Sequence, residues 1–168
     1  MRSTFECEVT VAGVDPGRVL DAYWRLERWP EVAPHVLAID LLYGDDEAQV
    51  LVMTVNTRGR IDAFKSVRVR EGRVIRYIQP HPPRILRHHH GSWSFEPHGG
   101  GTRVVSTHVI EVDVAAAALV LQEVGVPFSG DDDVRAAIER LIRGNSLQTM
   151  RALQQRLEME VSHVAQAS

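Results

Sequence analysis

The strongest constraint on this chain is a succession of short alternating stretches that ends in one long helical pattern. Val134, Ala137, Ile138, Leu141, Ile142, Met150, Leu153, Leu157 and Val161 recur at helical spacing, which predicts a helix from Asp131 to about Val164. Asp131-Asp132-Asp133 stands at its start, where the helix dipole favours carboxylates. Gly144-Asn145-Ser146 interrupts the apolar stripe with small and polar residues. Ahead of it, strands are expected over 36–43, 48–56, 61–70, 74–79, 85–95 and 102–114. Turns at Gly44-Asp45-Asp46-Glu47, Arg58-Gly59 and Glu71-Gly72 join several of them. Residues 3–12 alternate as a first strand. Asp15-Pro16 then supplies an N-cap and a proline at the first helical position, for a short helix to about Leu26. Trp29-Pro30 opens a second short helical segment that ends near Pro34. The prolines of Pro80-His81-Pro82-Pro83 are expected to keep that segment out of a central ladder. Residues 115–130 should form a short helix and a loop over the open end of the sheet.

This order predicts one α+β domain over residues 1–168: a seven-stranded antiparallel sheet wrapped around a long C-terminal helix, with two short helices after strand 1. A single helix cannot fill the concavity of seven strands, so a cavity should lie between them.

Composition removes several classes of function. A net charge of −3, a pI of about 6.2 and no Lys/Arg block argue against nucleic acid or anionic membrane as partners. The single cysteine, Cys7, permits no internal disulfide and falls in an alternating strand, where it should be a small buried hydrophobe. No basic-then-apolar leader opens the chain, and no apolar run reaches the roughly 18 residues of a membrane span. A soluble, cytoplasmic protein is expected.

Three groups of residues suggest chemistry. At period two, Phe64, Ser66, Arg68 and Arg70 share one face of a strand. On an outer face that is ordinary, whereas on a concave face it places a cation and a hydroxyl in an apolar pocket. In His88-His89-His90, only one parity can face inward, and Arg87, His89, Trp93 and Phe95 share it. A hairpin closed by the 96–101 loop sets His89 opposite His108 and Trp93 opposite Val104, and two such imidazoles suit general acid/base work. A metal site built from His81, His88, His89, His90 and His108 is a poor fit, since adjacent histidines on a strand point apart. Trp29, Phe64, Trp93 and Phe95 are candidate cavity walls. Asn145 and Thr149, four apart on the last helix, and Ser106 and His35 are further candidates for ligand contact.

Five motifs in this order resemble the START-like (SRPBCC, helix-grip) superfamily and, within it, the bacterial polyketide aromatase/cyclases. They are Trp29-Pro30 before a strand near Val36, Ser66-x-Arg68, Gly91-x-Trp93-x-Phe95-x-Pro97, Gly101-Thr102-Arg103-Val104, and Arg143-Gly144-Asn145-Ser146. The resemblance implies a pocket for a poly-β-ketone carried by an acyl carrier protein and made by a minimal polyketide synthase. The enzyme would fold that chain, promote an intramolecular aldol condensation and dehydrate the product to an aromatic ring. Arg68 would stabilise developing negative charge, with Ser66, His89 and His108 moving protons directly or through water. No cofactor is called for, because flanking carbonyls already acidify the reacting carbons. The acidic carrier protein would dock near Arg84 and Arg87. A rival within the same superfamily is a non-catalytic carrier of a quinone or lipid, whose pocket should be apolar throughout. The run Ala115–Leu121 reads either as a lid helix or as a homodimer face.

Overall fold

The computed structural model describes residues 1–57 and 59–166. Its sheet has seven antiparallel strands: β1 (Arg2–Val11), β2 (Val36–Gly44), β3 (Ala48–Thr57), β4 (Arg60–Glu71), β5 (Val74–His81), β6 (Leu86–His98) and β7 (Gly101–Val112). Their order is β1-β7-β6-β5-β4-β3-β2, so six strands meander and β1 closes onto the last of them. Between β1 and β2 lie α1 (Pro16–Trp24), a 3₁₀ turn at Leu26–Arg28 and α2 (Trp29–Val32). After the sheet come α3 (Val114–Glu123) and the long α4 (Asp131–Gln166). The expected helix-grip arrangement is present. Among the described residues, no helix is long and apolar enough to cross a membrane.

Local chemistry explains the boundaries. The Asp15 carboxylate accepts from the backbone N–H groups of Gly17 and Arg18, with Pro16 at the first helical position of α1. Asp113 caps α3 in the same way through Ala116 N–H. The expected turn at Arg58-Gly59 involves Arg58, which is outside the described residues. Gly72 adopts φ 57° in the β4–β5 turn, as a left-handed turn position requires.

α4 lies along β1 and is tied to its backbone. Gln154 donates to the Thr10 carbonyl at 2.8 Å, Arg143 donates to the Glu6 carbonyl at 2.6 Å, and the Glu158 carboxylate accepts from Ala12 N–H at 2.8 Å. Ile138 and Met150 on its inner stripe are fully buried with Tyr23, Phe95, Val104 and Ile110. The helix runs unbroken through Gly144-Asn145-Ser146. There it faces open space between helix and sheet, which removes the need for apolar side chains. Cys7 is buried, as expected.

Two expectations fail here. β5 continues through Pro80 to His81, and His81 pairs with Lys65 beyond a bulge in β5, where Gln79 and Pro80 stand opposite Ser66 alone. That irregularity admits a proline that a regular central ladder would reject. The β6–β7 register also differs, with His108 opposite Gly91 and Trp93 opposite Ser106. The slip is two residues, so His89, Trp93, Phe95 and His108 keep their predicted face.

Candidate functional site

One line of residues crosses the concave face perpendicular to the strands. Phe5 on β1 pairs with His108 on β7, His108 with Gly91 on β6, and Gly91 with Tyr77 on β5. Tyr77 in turn pairs with Arg68 on β4, and Arg68 with Gln49 on β3. His108, Tyr77 and Arg68 of this row line a cavity of about 430 Å³ between the sheet, α3 and α4. Val120, Leu121 and Val124 cover it from the α3 side, so α3 lies over the cavity as a lid would. At its rim Arg60 forms ion pairs with Asp62 and Glu123, joining β4 to the end of α3.

Arg68 is 3% exposed and faces inward. Its guanidinium donates to Gln49 Oε1 at 3.1 Å and to the Tyr23 carbonyl at the end of α1. Gln49 Nε2 donates to the neighbouring Trp24 carbonyl at 3.2 Å. The sheet therefore supplies the cation that α1 lacks in its own last turn. The rings of Trp24, Trp29 and Trp93 lie 5.1, 5.7 and 5.6 Å from the guanidinium carbon, within cation–π range. The polar partners are neutral, and the buried Nε–H has none. Burial pulls the Arg68 pKa down to about 9, which leaves it charged at neutral pH.

On the other side of Tyr77 the predicted histidines meet. His89 is 7% and His108 5% exposed, and His89 Nε2 lies 3.1 Å from His108 Nδ1. Gln79 Oε1 accepts from His89 Nδ1 at 2.9 Å, which fixes the proton there and turns the Nε2 lone pair toward His108 and Tyr77. The Tyr77 hydroxyl is 2.8 Å from His108 Nδ1 and 3.3 Å from His89 Nε2. His108 Nε2 lies 2.9 Å from Ser106 Oγ and 3.0 Å from Ser146 Oγ, and Phe5 stacks on its ring. Burial lowers His89 to a pKa of about 3 and His108 to about 4, so both are neutral bases at ordinary pH.

The remaining candidates separate cleanly. Ser66, Phe64, Trp29, Trp93, His35, Asn145 and Thr149 all line the cavity. His35 Nε2 lies 3.3 Å from Thr149 Oγ1, joining the segment before β2 to α4. Phe95 does not reach the cavity; it is packed edge-on against Tyr23 in the core, because the α1 side of the concavity is already filled. Ser106 is fully buried behind His108 and contacts that ring instead of the open space. Arg87 loses its predicted face at a bulge between Leu86 and His88 and pairs outside with Asp113 at 3.2 Å. Arg70 turns to Asp21 of α1 at 3.1 Å. Among the described residues no cluster of three or more His, Cys, Asp or Glu could hold a metal ion.

Sequence reasoning missed Tyr77, Gln79 and Gln49. Their signal was available: each has the inward parity of its strand, in the motif Ile75-x-Tyr77-x-Gln79 and directly opposite Arg68.

Residues 13–136 match the family described as polyketide cyclase / dehydrase and lipid transport. The chain belongs to that family. Among its relatives is the granaticin polyketide synthase bifunctional cyclase/dehydratase of Streptomyces violaceoruber, 32% identical over 145 residues. That alignment takes in 80% of this chain and 42% of the relative. Of solved structures, the di-domain ARO/CYC StfQ from the steffimycin biosynthetic pathway superposes with a TM-score of 0.84 at 24% identity, over 96% of this chain and 53% of that one. A START superfamily protein from Mycobacterium smegmatis superposes with a TM-score of 0.68 at 14% identity, over 94% and 97% of the two chains. These two likenesses establish the START-like, helix-grip fold for this polyketide cyclase/dehydrase family member. The chain spans about half the length of the curated relative and of the di-domain structure.

Proposed function

We propose that this protein is a cofactor-independent polyketide aromatase/cyclase, which folds a carrier-bound poly-β-ketone, closes a ring by aldol addition and dehydrates it. The observation that carries this reading is the placement of a buried cation and a pair of neutral imidazoles on either side of Tyr77 inside a largely apolar cavity. A methylene between two ketones loses a proton readily, and an imidazole kept neutral by burial has a free lone pair to accept it. The enolate oxygen and then the aldol alkoxide carry the charge that forms. Arg68 offers its remaining N–H donors and full charge to those oxygens in a site of low dielectric. Ser66, two residues along the same strand face, positions a ketone oxygen or a water beside it. Trp29, Trp93 and Phe64 form flat walls against which an extended polyketone folds, while Asn145 and Thr149 hold carbonyls from the α4 side.

The 1–168 stretch works in this reading as one unit, since α4, which lines the cavity, is tied along β1 from the other end of the sequence. The acyl carrier protein of a minimal polyketide synthase delivers the substrate. Arg84, exposed before β6, suits contact with its acidic surface better than Arg87, which is already paired with Asp113. A pure lipid or quinone carrier has no use for an inward arginine or for two buried imidazoles, and this weighs against that alternative.

The test is reconstitution of a minimal synthase with and without the protein, comparing wild type with Arg68→Lys. The wild type is expected to redirect the products to one dehydrated aromatic ring, and Arg68→Lys to lose most of that effect. An unchanged profile with wild type, accompanied by a co-purified lipid in native mass spectrometry, overturns the enzyme reading in favour of the carrier.

A further inference from the structure

Tyr77 stands at the centre of the transverse row, with Arg68 beside it on β4 and Gly91 on β6. It lines the cavity, and its ring packs 4.7 Å from that of Trp93. β6 offers no side chain at this level, which lets the phenol lean across that strand to the imidazoles. A Cβ at Gly91 would collide with the Thr107 carbonyl oxygen and come within 2.6 Å of the Tyr77 hydroxyl. The opening is therefore specific to glycine. Through it Tyr77 contacts both His108 and His89.

We propose that Tyr77 is a further catalytic residue: it is the acid that protonates the substrate oxygen while the imidazole pair holds the proton taken from carbon. The inference rests on the cyclase reading above. Acid and base then belong to one hydrogen-bonded unit.

The proton balance closes without any other reagent. In the aldol step the imidazole pair removes a proton from the methylene, and the carbon–carbon bond forms between the enolate carbon and the ketone carbon. The π pair of the ketone moves to its oxygen, which takes the phenolic proton of Tyr77. The imidazolium returns its proton to the phenolate across the 2.8 Å contact. In dehydration the imidazole takes the remaining proton on the same carbon and the carbon–oxygen bond breaks. The departing hydroxide leaves as water with the Tyr77 proton, and the imidazolium again restores the phenol.

Burial supports a relay over separate charged groups. It pushes the Tyr77 phenol up and both imidazoles down, so neither a lone phenolate nor a lone imidazolium is favoured there. Handing the proton on within the unit leaves the cavity with no lasting new charge.

The experiment is the same reconstitution with Tyr77→Phe, which keeps the ring and its packing. Product formation by wild type and variant is measured in H₂O and in D₂O, together with affinity for a fixed aromatic ligand and the melting temperature. Tyr77→Phe is expected to slow aromatic product formation by about 10²-fold, with ligand affinity and melting retained. The solvent isotope effect of the wild type should diminish in the variant. Wild-type rates in Tyr77→Phe overturn the inference and leave the cyclase reading standing. A slow variant that has also lost ligand affinity or melting temperature overturns it too, by showing that the phenol only supports the cavity wall. A wild type without effect on the synthase products overturns the cyclase reading itself, and the inference falls with it.

Discussion

Two pairs of histidines start from adjacent residues of β6, the inner one completed by His108 on β7, and have little else in common. His88 and His90 meet on the outer, partly exposed face, with Nε2 and Nδ1 2.7 Å apart. His89 and His108 meet inside at 3.1 Å, bounded by Gln79, Tyr77, Ser106 and Ser146. The outer pair has water as a competing partner. The inner pair has fixed partners that assign a tautomer, and enough burial to keep both rings neutral. Strand parity, not residue type, makes one pair usable as a base and leaves the other a surface feature.

The largest way to break that comparison is to remove one inner ring. His89→Gln or His108→Gln is expected to reduce aromatic product formation about 10²-fold or more in the reconstituted synthase. The double variant His88→Gln/His90→Gln should stay within about two-fold of wild type, as surface changes usually do. Equal losses in the two would show that the faces are not distinct.

Gly91→Ala tests whether the inner pair owes its phenol partner to an empty position. The added methyl has backbone on one side and the phenol on the other, so overpacking should cost about 1–3 kcal/mol in urea unfolding. Because the Thr107 carbonyl oxygen belongs to a paired ladder, the strain cannot be relieved by turning a side chain.

Acid stability sharpens the contrast more gently. His89 at about 3 and His108 at about 4 lie below the ordinary histidine value of 6.5, so the unfolded chain takes up protons first. Their contribution to stability is complete above about pH 6.5 and is lost progressively as pH falls toward 4 and then 3. Melting temperature should fall over that window. The fall should be shallower in His89→Gln/His108→Gln and little altered in the outer-face double variant.

Much of this was legible in the sequence because strands and helices declare themselves by period. The alternation through Ser66 and Arg68 and through His89, Trp93 and Phe95 named the inward face. The helical stripe from Val134 to Val161 named the partner that grips it. Parity alone does not say how deep an inward residue sits. Phe95 and Ser106 face the correct way yet are covered by neighbours, and a local bulge, unreadable in composition, turned Arg87 outward. Tyr77 and Gln79 were missed for another reason. They precede prolines that drew attention as strand breakers, and a bulge at Gln79-Pro80 lets the strand continue.

The transverse row has one more consequence, for how the molecule opens. Its members belong to six different strands but share one level of the ladder. No single hairpin can fray and release one of them without loosening the hydrogen bonds of its neighbours at the same height. Amide protons along that level, from Phe5 through His108 to Gln49, should therefore exchange with solvent through a common opening event. Filling the cavity should slow all of them together.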